Sequence, residues 1–95
     1  MTVETLPYDS ARYLDSDEAI AEYVTSAFES GDAAVITNAL GIAARARGMT
    51  QLAKDAGLSR ESLYKALSDK GNPEFATVLR VARALGLKVT TVAAE

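Results

Sequence analysis

The chain has 95 residues, is 48% hydrophobic, carries a net charge of −3 and contains neither cysteine nor histidine. This length and composition fit one ordered globular domain with a single modest core. Without cysteine there can be no disulfide or thiolate metal site, and without histidine the commonest metal ligand and general base are missing. We therefore expect that the protein is not an enzyme and that it binds no metal or cofactor. The chain also shows no apolar run of membrane-spanning length and no signal sequence, so we expect a cytoplasmic protein with no membrane partner.

The net charge hides a division along the chain. Residues 1–44 hold eight acidic side chains and one basic one, giving −7, whereas residues 45–70 hold six basic and three acidic ones, giving +3. Residues 71–95 add +1. Because phosphate contact depends on the local surface, a basic segment on an acidic chain is still able to bind DNA.

Residues 1–15 are predicted to form an N-terminal arm, since they contain Pro7 and lack a sustained apolar period. The tyrosines Tyr8 and Tyr13, together with Leu14, could pack back on the domain or onto a partner. The remainder, residues 16–95, is predicted to be one DNA-binding domain.

Two helical patterns follow the arm. The first begins at the cap residues Asp15, Ser16 and Asp17 and is closed by Gly31. The second is capped by Asp32 and runs towards Gly48. Their predicted core stripes are Ile20, Tyr23, Val24, Ala27 and Phe28 in the first helix, and Val35, Ile36, Ala39, Leu40 and Ala43 in the second.

The second helix contains a glycine, Gly41, and two arginines near its end, Arg45 and Arg47. Gly41 within it indicates close packing against another helix, since glycine costs about 1 kcal/mol there relative to alanine. Arg45 and Arg47 near its end could stabilise the negative helix terminus or contact phosphate.

The stretch 50–67, TQLAKDAGLSRESLYKAL, is predicted to be two short helices joined by a tight turn. Thr50 caps the first helix in this prediction, Gly57 ends it in a left-handed conformation, and Ser59 caps the second. Leu63 and Leu67 then lie one turn apart on the inner face. A helix-turn-helix has this layout, and its second helix enters the DNA major groove. The alternative is an αα-hairpin in an ordinary helical bundle.

After a loop at 68–73, a last helix is predicted from about Glu74 to Leu85, closed by Gly86. Its predicted buried residues are Phe75, Val78, Leu79, Ala82 and Leu85. The β-branched tail 87–92, LKVTTV, predicts a short strand. A lone strand has no partner in an all-α domain, so it would pair with its twin in a homodimer or with the sheet edge of another protein.

Two family resemblances rest on these residues. Six of them, Ala53, Gly57, Leu58, Ser59, Leu63 and Leu67, are placed as in the phage-repressor type of helix-turn-helix. The run GLSRESLYKALSDKGNPEFATVLRVARALGLKV resembles the downstream component of a two-gene toxin–antitoxin cassette, the addiction-module antidote family. The segment YDSARYLDSDEAIAEYVTSAFESGD is similar to the opening of that family, so the resemblance covers about residues 7–92.

These resemblances imply an all-α, five-helix, lambda-repressor-like fold with a short C-terminal strand. They imply an antitoxin that represses its own operon by binding operator DNA as a homodimer with half-sites about 34 Å apart. The cognate toxin would be of the RelE/ParE-related kind, and the acidic segment from Asp9 to Asp32 is a plausible surface for a basic partner. That segment could instead be a solvated face that keeps the domain in solution.

The residues expected to contact DNA are Gln51, Lys54, Ser59, Arg60, Glu61, Ser62, Tyr64 and Lys65. By resemblance to phage repressors, Arg60, Glu61 and Lys65 reach base edges, with arginine to guanine the leading contact. Glu61 could instead pair with Lys65 one turn on. Ser62 and Tyr64 could reach phosphate or a thymine methyl, and Gln51 and Lys54 the DNA backbone. Two alternative functions remain open: a toxin-binding module without DNA readout, and a stand-alone transcriptional regulator.

Overall fold

The computed structural model describes residues 14–94, and this part of the chain is all-helical, with five helices. The helices are α1 Asp17–Glu29, α2 Ala33–Arg47, α3 Met49–Ala56, α4 Arg60–Ala66 and α5 Phe75–Ala84. The prediction of an all-α fold with five helices is therefore confirmed. None of the helices in residues 14–94 combines the length and apolarity that crossing a membrane requires.

Side-chain caps begin the first two helices, as predicted. The Ser16 Oγ accepts a hydrogen bond from the backbone N–H of Ala19 at 3.0 Å, which starts α1. Asp32 Oδ1 accepts from the N–H groups of Ala34 and Val35 at 2.8 and 3.2 Å, which starts α2. These bonds satisfy backbone amides that have no partner within a helix, so both α1 and α2 have a side-chain cap at their N-terminus.

One hydrophobic core joins all five helices. The largest fully buried side chains are Leu40, Leu52, Leu63, Val81 and Leu85, which come from α2, α3, α4 and α5 with its C-terminal cap. From α1, Ile20 and Val24 join them at 3% exposure each. The arm was predicted at residues 1–15; Leu14 from it packs against this core, and its residues 1–13 lie outside the described residues.

Gly41 lies where α2 meets the end of α4, as its position within a helix indicated. A Cβ atom added to Gly41 would lie 3.0 Å from the backbone oxygen of Leu67 and 3.6 Å from the Leu67 Cβ. The absence of a side chain thus lets the backbone of α4 approach α2 closely.

The prediction that Thr50 caps α3 is wrong. The residue at the cap position is Gly48, with φ 111° and ψ 113°, and the helix begins at Met49. Gly48 is thus the single residue between α2 and α3, and its backbone oxygen accepts from Leu52 N–H at 3.0 Å. Thr50 lies exposed inside the first turn, because the buried Met49 has already brought the chain into the core.

The predicted buried set of α5 is confirmed for Ala82 and Leu85, and Val78 packs partly buried against the core, but the prediction is wrong for Phe75 and Leu79. Val81, Ala82 and Leu85 are buried at 0 to 2% exposure, whereas Phe75 is 72% exposed and Leu79 38% exposed. Both Val78–Val81–Leu85 and Phe75–Leu79 have helical spacing, and packing against α3 and α2 selects the first set. On α2, Val35 is likewise exposed, at 45%, rather than part of the core.

The predicted C-terminal strand is not formed. The structure contains no strand within residues 14–94, and residues 87–94 follow α5 without regular backbone pairing. The physical reason is that the helical domain offers the tail no neighbouring strand.

Candidate nucleic-acid interface

The joint between α3 and α4 is a glycine-terminated helix end. Gly57 has φ 73° and ψ 32°, the left-handed conformation that was predicted. The Gly57 N–H donates to the Lys54 oxygen at 3.1 Å, and the Leu58 N–H donates to the Ala53 oxygen at 2.9 Å. This pair of bonds is a Schellman motif, which ends α3 and directs the chain into α4 within three residues.

Ser59 starts α4 as predicted. The Ser59 Oγ accepts from the backbone N–H of Ser62 at 3.0 Å and also donates to the Ser62 Oγ at 2.8 Å. Leu63 at 0% exposure and Leu67 at 7% hold the inner side of α4 in the core. Capping and burial together fix which side of this seven-residue helix faces solvent.

All eight predicted DNA-contacting side chains are exposed: Gln51 and Lys54 on α3, Ser59 at the turn, and Arg60, Glu61, Ser62, Tyr64 and Lys65 on α4. Since α3 packs against α4, these residues occupy two adjacent helices joined by the Gly57 turn. The structure brings three pairs into direct contact, and two of the pairs lie wholly within the predicted set.

Arg60 and Tyr64 form the best-defined pair on this surface. The Arg60 guanidinium carbon lies 5.3 Å from the centre of the Tyr64 ring, and Arg60 Nη2 donates to the Tyr64 Oη at 3.3 Å. Tyr64 itself is 46% exposed. A cation stacked on a ring is attracted to the π face and loses side-chain freedom. Arg60 is thus partly held in place before any ligand arrives, although the residue remains exposed.

The second pair inside the predicted set is Ser59 and Ser62, whose mutual hydrogen bonds serve the helix start. The third pair joins Gln51 to a residue that was not predicted. Gln51 Nε2 donates to Asp55 Oδ1 at 2.9 Å, one turn further along α3. The spacing of four residues between an amide and a carboxylate was the signal that could have identified Asp55.

Arg47 makes structural contacts at the C-terminus of α2. Its Nη2 lies 2.8 Å from Asp17 Oδ1 and 3.2 Å from the Leu85 oxygen, and its Nη1 donates to the Ala84 oxygen at 3.4 Å. Arg47 thereby ties α1 to the C-terminal end of α5, whose last carbonyls lack helical partners. Arg47 was expected either to stabilise the C-terminus of its own helix, α2, or to contact phosphate. Its bonds favour a stabilising role over phosphate contact, but the terminus that it stabilises is that of α5. Arg45, by contrast, is exposed.

Charge is distributed unevenly over the described surface. The exposed acids Glu18, Glu22 and Glu29 belong to α1, whereas Arg60 and Lys65 belong to α4. In residues 14–94 the structure shows no salt bridge between Glu61 and Lys65, so both remain exposed as single charges. The same residues contain no cluster of three side chains suited to holding a metal ion.

The site and fold define a small all-helical protein that presents a short, polar, partly basic helix after a glycine turn. The chain matches the family model described as "Probable addiction module antidote protein" over residues 4–93. It is also 49% identical to an uncharacterized protein of Haemophilus influenzae over 88 residues, covering 93% of this chain and 91% of the relative. No solved structure matches the chain. The protein therefore belongs to the family of addiction-module antidote proteins.

Proposed function

We propose that this protein is the antitoxin of a type II toxin–antitoxin module, which acts in the cytoplasm without enzymatic activity. In this proposal it binds operator DNA through a lambda-repressor-like helix-turn-helix and represses its own operon as a homodimer. It also binds and neutralises a RelE/ParE-like toxin. Family membership supports the antitoxin role and implies a toxin partner.

The observation that carries the DNA-binding part is the Arg60–Tyr64 pair on α4. Arginine donates two parallel hydrogen bonds to guanine O6 and N7, the commonest specific contact in the major groove. The Arg60 guanidinium lies over the ring of Tyr64, which restricts its position. The carbon edge of that ring could make an apolar contact with a thymine methyl group. Lys54 and Gln51 on α3 flank this helix and are suited to phosphate oxygens.

The charge of the segment supports the same proposal. Residues 45–70 carry +3, although the chain as a whole carries −3. The acidic N-terminal half reduces non-specific attraction to DNA, so sequence-specific contacts supply a larger share of operator affinity.

The test is a titration of the gene's own upstream DNA and of random DNA at several salt concentrations. We expect Arg60→Ala to weaken operator binding by about 1 to 3 kcal/mol and to relax preference at one base pair. Lys54→Ala should weaken binding to both DNAs equally and reduce the salt slope by about 1.

Two conservative variants serve as matched controls. Arg60→Lys keeps the charge but loses the bidentate contact, so it should resemble Arg60→Ala in specificity and the wild type in salt slope. Lys54→Arg should resemble the wild type in both. Equal losses on operator and random DNA for Arg60→Ala and Lys54→Ala would contradict the division of roles.

For the toxin we propose the acidic face of α1 as the contact surface. Glu18 and Glu22 are exposed one turn apart, and Asp17 is 88% exposed despite its bond to Arg47. Opposite fields accelerate the association of an acidic surface with a basic partner. The matching test is a pull-down with the product of the neighbouring gene.

Deleting residues 1–31 would not test this surface alone, because the deletion also removes Ile20 and Val24 of α1 from the core and so destabilises the fold. The sharper variant is Glu18→Lys with Glu22→Lys, compared with Glu61→Lys on α4. We expect the α1 double variant to lose toxin binding and to retain DNA binding. Glu61→Lys should retain toxin binding. Full retention of toxin by the α1 variant would exclude this surface.

A toxin-binding module without DNA readout is the second candidate, favoured by the net charge of −3. The same titration decides between the two. If no duplex of any sequence is retained at low ionic strength while the toxin still binds, the second candidate is correct. A stand-alone regulator would bind DNA but not the product of the neighbouring gene.

A further inference from the structure

On the exposed side of α4, Arg60 and Tyr64 form a unit rather than two separate side chains. Arg60 Nη2 donates to the Tyr64 Oη at 3.3 Å, and the guanidinium carbon lies over the ring at 5.3 Å from its centre. The two residues are one helical turn apart, so they follow one another along the same side of the helix. Tyr64 is 46% exposed, which leaves much of its ring available to a ligand.

We propose that this unit reads two adjacent base pairs of the operator together, with Arg60 bound to a guanine and Tyr64 bound to a thymine. The preferred ligand is thus a duplex in which a thymine lies in the base pair next to that guanine. This inference rests on the proposed function, because it specifies which bases the DNA-binding helix recognises.

The planar geometry of arginine places Tyr64 beside the neighbouring base pair. A guanidinium that donates two parallel hydrogen bonds to guanine O6 and N7 lies close to the plane of that base. Because Tyr64 lies against one face of the guanidinium, its ring stands to one side of the guanine plane. Successive base pairs are about 3.4 Å apart, less than the 5.3 Å between the guanidinium carbon and the ring centre. The ring therefore reaches the edge of the next base pair in the stack.

The chemistry of the tyrosine side chain selects thymine at this second position. Thymine displays in the major groove an acceptor, O4, next to an apolar group, the C5 methyl, and the other three bases lack the methyl. Tyr64 offers the matching pair, an apolar ring edge and a hydroxyl. Since the Tyr64 Oη already accepts from Arg60, its own O–H is the donor that remains for thymine O4.

Ser62, the other residue expected to reach a thymine methyl, is engaged at the start of its own helix. Its Oγ accepts from the Ser59 Oγ at 2.8 Å, and its backbone N–H donates to the same Ser59 oxygen at 3.0 Å. A serine side chain also offers far less apolar surface than a tyrosine ring. These contacts leave Tyr64 as the residue suited to the methyl group.

The test is a fluorescence-anisotropy titration of the full chain with short duplexes from the gene's own upstream DNA. Base preferences are first compared for the wild type and Arg60→Ala, since the base pair whose preference relaxes contains the guanine. Each thymine in the two flanking base pairs is then replaced by uracil, which removes only the methyl group. We expect one of these replacements to weaken wild-type binding about fourfold, the value for one buried CH₂ group.

Three variants assign the methyl contact to Tyr64. Tyr64→Ala should bind the thymine and uracil duplexes equally, and it should also relax the preference for guanine, because Arg60 loses the ring that restricts it. Tyr64→Phe keeps the ring, so the difference between thymine and uracil should persist. Lys65→Ala is the matched control, since Lys65 is an exposed neighbour on the same helix, and it should also retain the difference. Circular dichroism of each variant verifies that the helices are intact.

Three results overturn the inference: no loss of wild-type affinity with uracil in either flanking base pair, a full difference in Tyr64→Ala, or a difference that Tyr64→Phe or Lys65→Ala abolishes. A bound operator with no thymine beside the guanine also overturns it. In each case the wild type still distinguishes operator from random DNA, so the proposed function stands. A wild type that retains no duplex at low ionic strength overturns both.

Discussion

Replacing Gly57 by alanine tests whether backbone conformation at one residue sets the joint between α3 and α4. Gly57 has φ 73°, a conformation that costs an L-residue roughly 1 to 2 kcal/mol. A Cβ atom at this position meets only Arg80 Nη1, at 3.8 Å, which is ordinary contact. The expected loss is therefore about 1 to 2 kcal/mol of unfolding free energy, all of it conformational.

The chain contains a matched control for this substitution at the end of α5. Gly86 has φ 81° and no atom within 4 Å of an added Cβ. Its N–H donates to the Arg83 oxygen at 2.9 Å and the Leu87 N–H donates to the Ala82 oxygen at 2.9 Å, the same motif as at Gly57. Gly86→Ala should therefore cost as much stability as Gly57→Ala while lying far from α4 in the sequence.

Urea and thermal unfolding measure the stability loss, which for a domain of this size lowers Tm by about 4 to 8 °C per kcal/mol. Gly57→Asn should lose clearly less, because asparagine tolerates the left-handed conformation. In the DNA titration, Gly57→Ala should reduce operator affinity more than Gly86→Ala at a temperature where both are folded. A neutral Gly57→Ala, or equal losses for its alanine and asparagine variants, would refute this reasoning.

Three further substitutions test the core and the caps, each by urea unfolding. Leu63→Ala empties a site with 0% exposure and should cost about 2 to 5 kcal/mol, whereas a loss below 1 kcal/mol would show that α4 is not anchored there. Ser59→Ala removes the acceptor for the Ser62 N–H and should cost about 1 kcal/mol. Arg47→Ala should cost more than Asp17→Ala, because Arg47 also bonds two backbone oxygens, while the ion pair with a highly exposed Asp17 contributes at most about 1 kcal/mol. Equal losses at Arg47 and Asp17 would contradict the assignment of the α5 contacts.

Local signals were sufficient where a helix begins or ends with its own side chains. Ser16, Asp32 and Ser59 were predicted as caps and their oxygens accept the expected amides, two or three residues along the chain. Gly57 was predicted to be left-handed from its position between two helical patterns. Thr50 shows the limit of such signals. The helix α3 begins earlier, at Met49, with Gly48 at the cap position, so Thr50 lies inside the helix and does not cap it.

The candidate site divides in the same way. The exposed side of α4 follows from the burial of Leu63 and Leu67, so the sequence predicted which of its side chains reach solvent. The contact between Arg60 and Tyr64 was not predicted, although both residues were singled out separately. Whether two neighbouring exposed side chains stack depends on their rotamers, which spacing along the helix permits but does not select.

By itself the sequence determined the number of helices, the caps at Ser16, Asp32 and Ser59 and the buried side of α4, because those features depend on residues within about one turn of each other. Only the tertiary structure decided which stripe of α5 is buried, and that decision leaves Phe75 and Leu79 exposed. The same holds for Arg47, whose partners Asp17 and Leu85 are 30 and 38 residues away along the chain. Such contacts arise from how whole helices pack, and no local pattern encodes them.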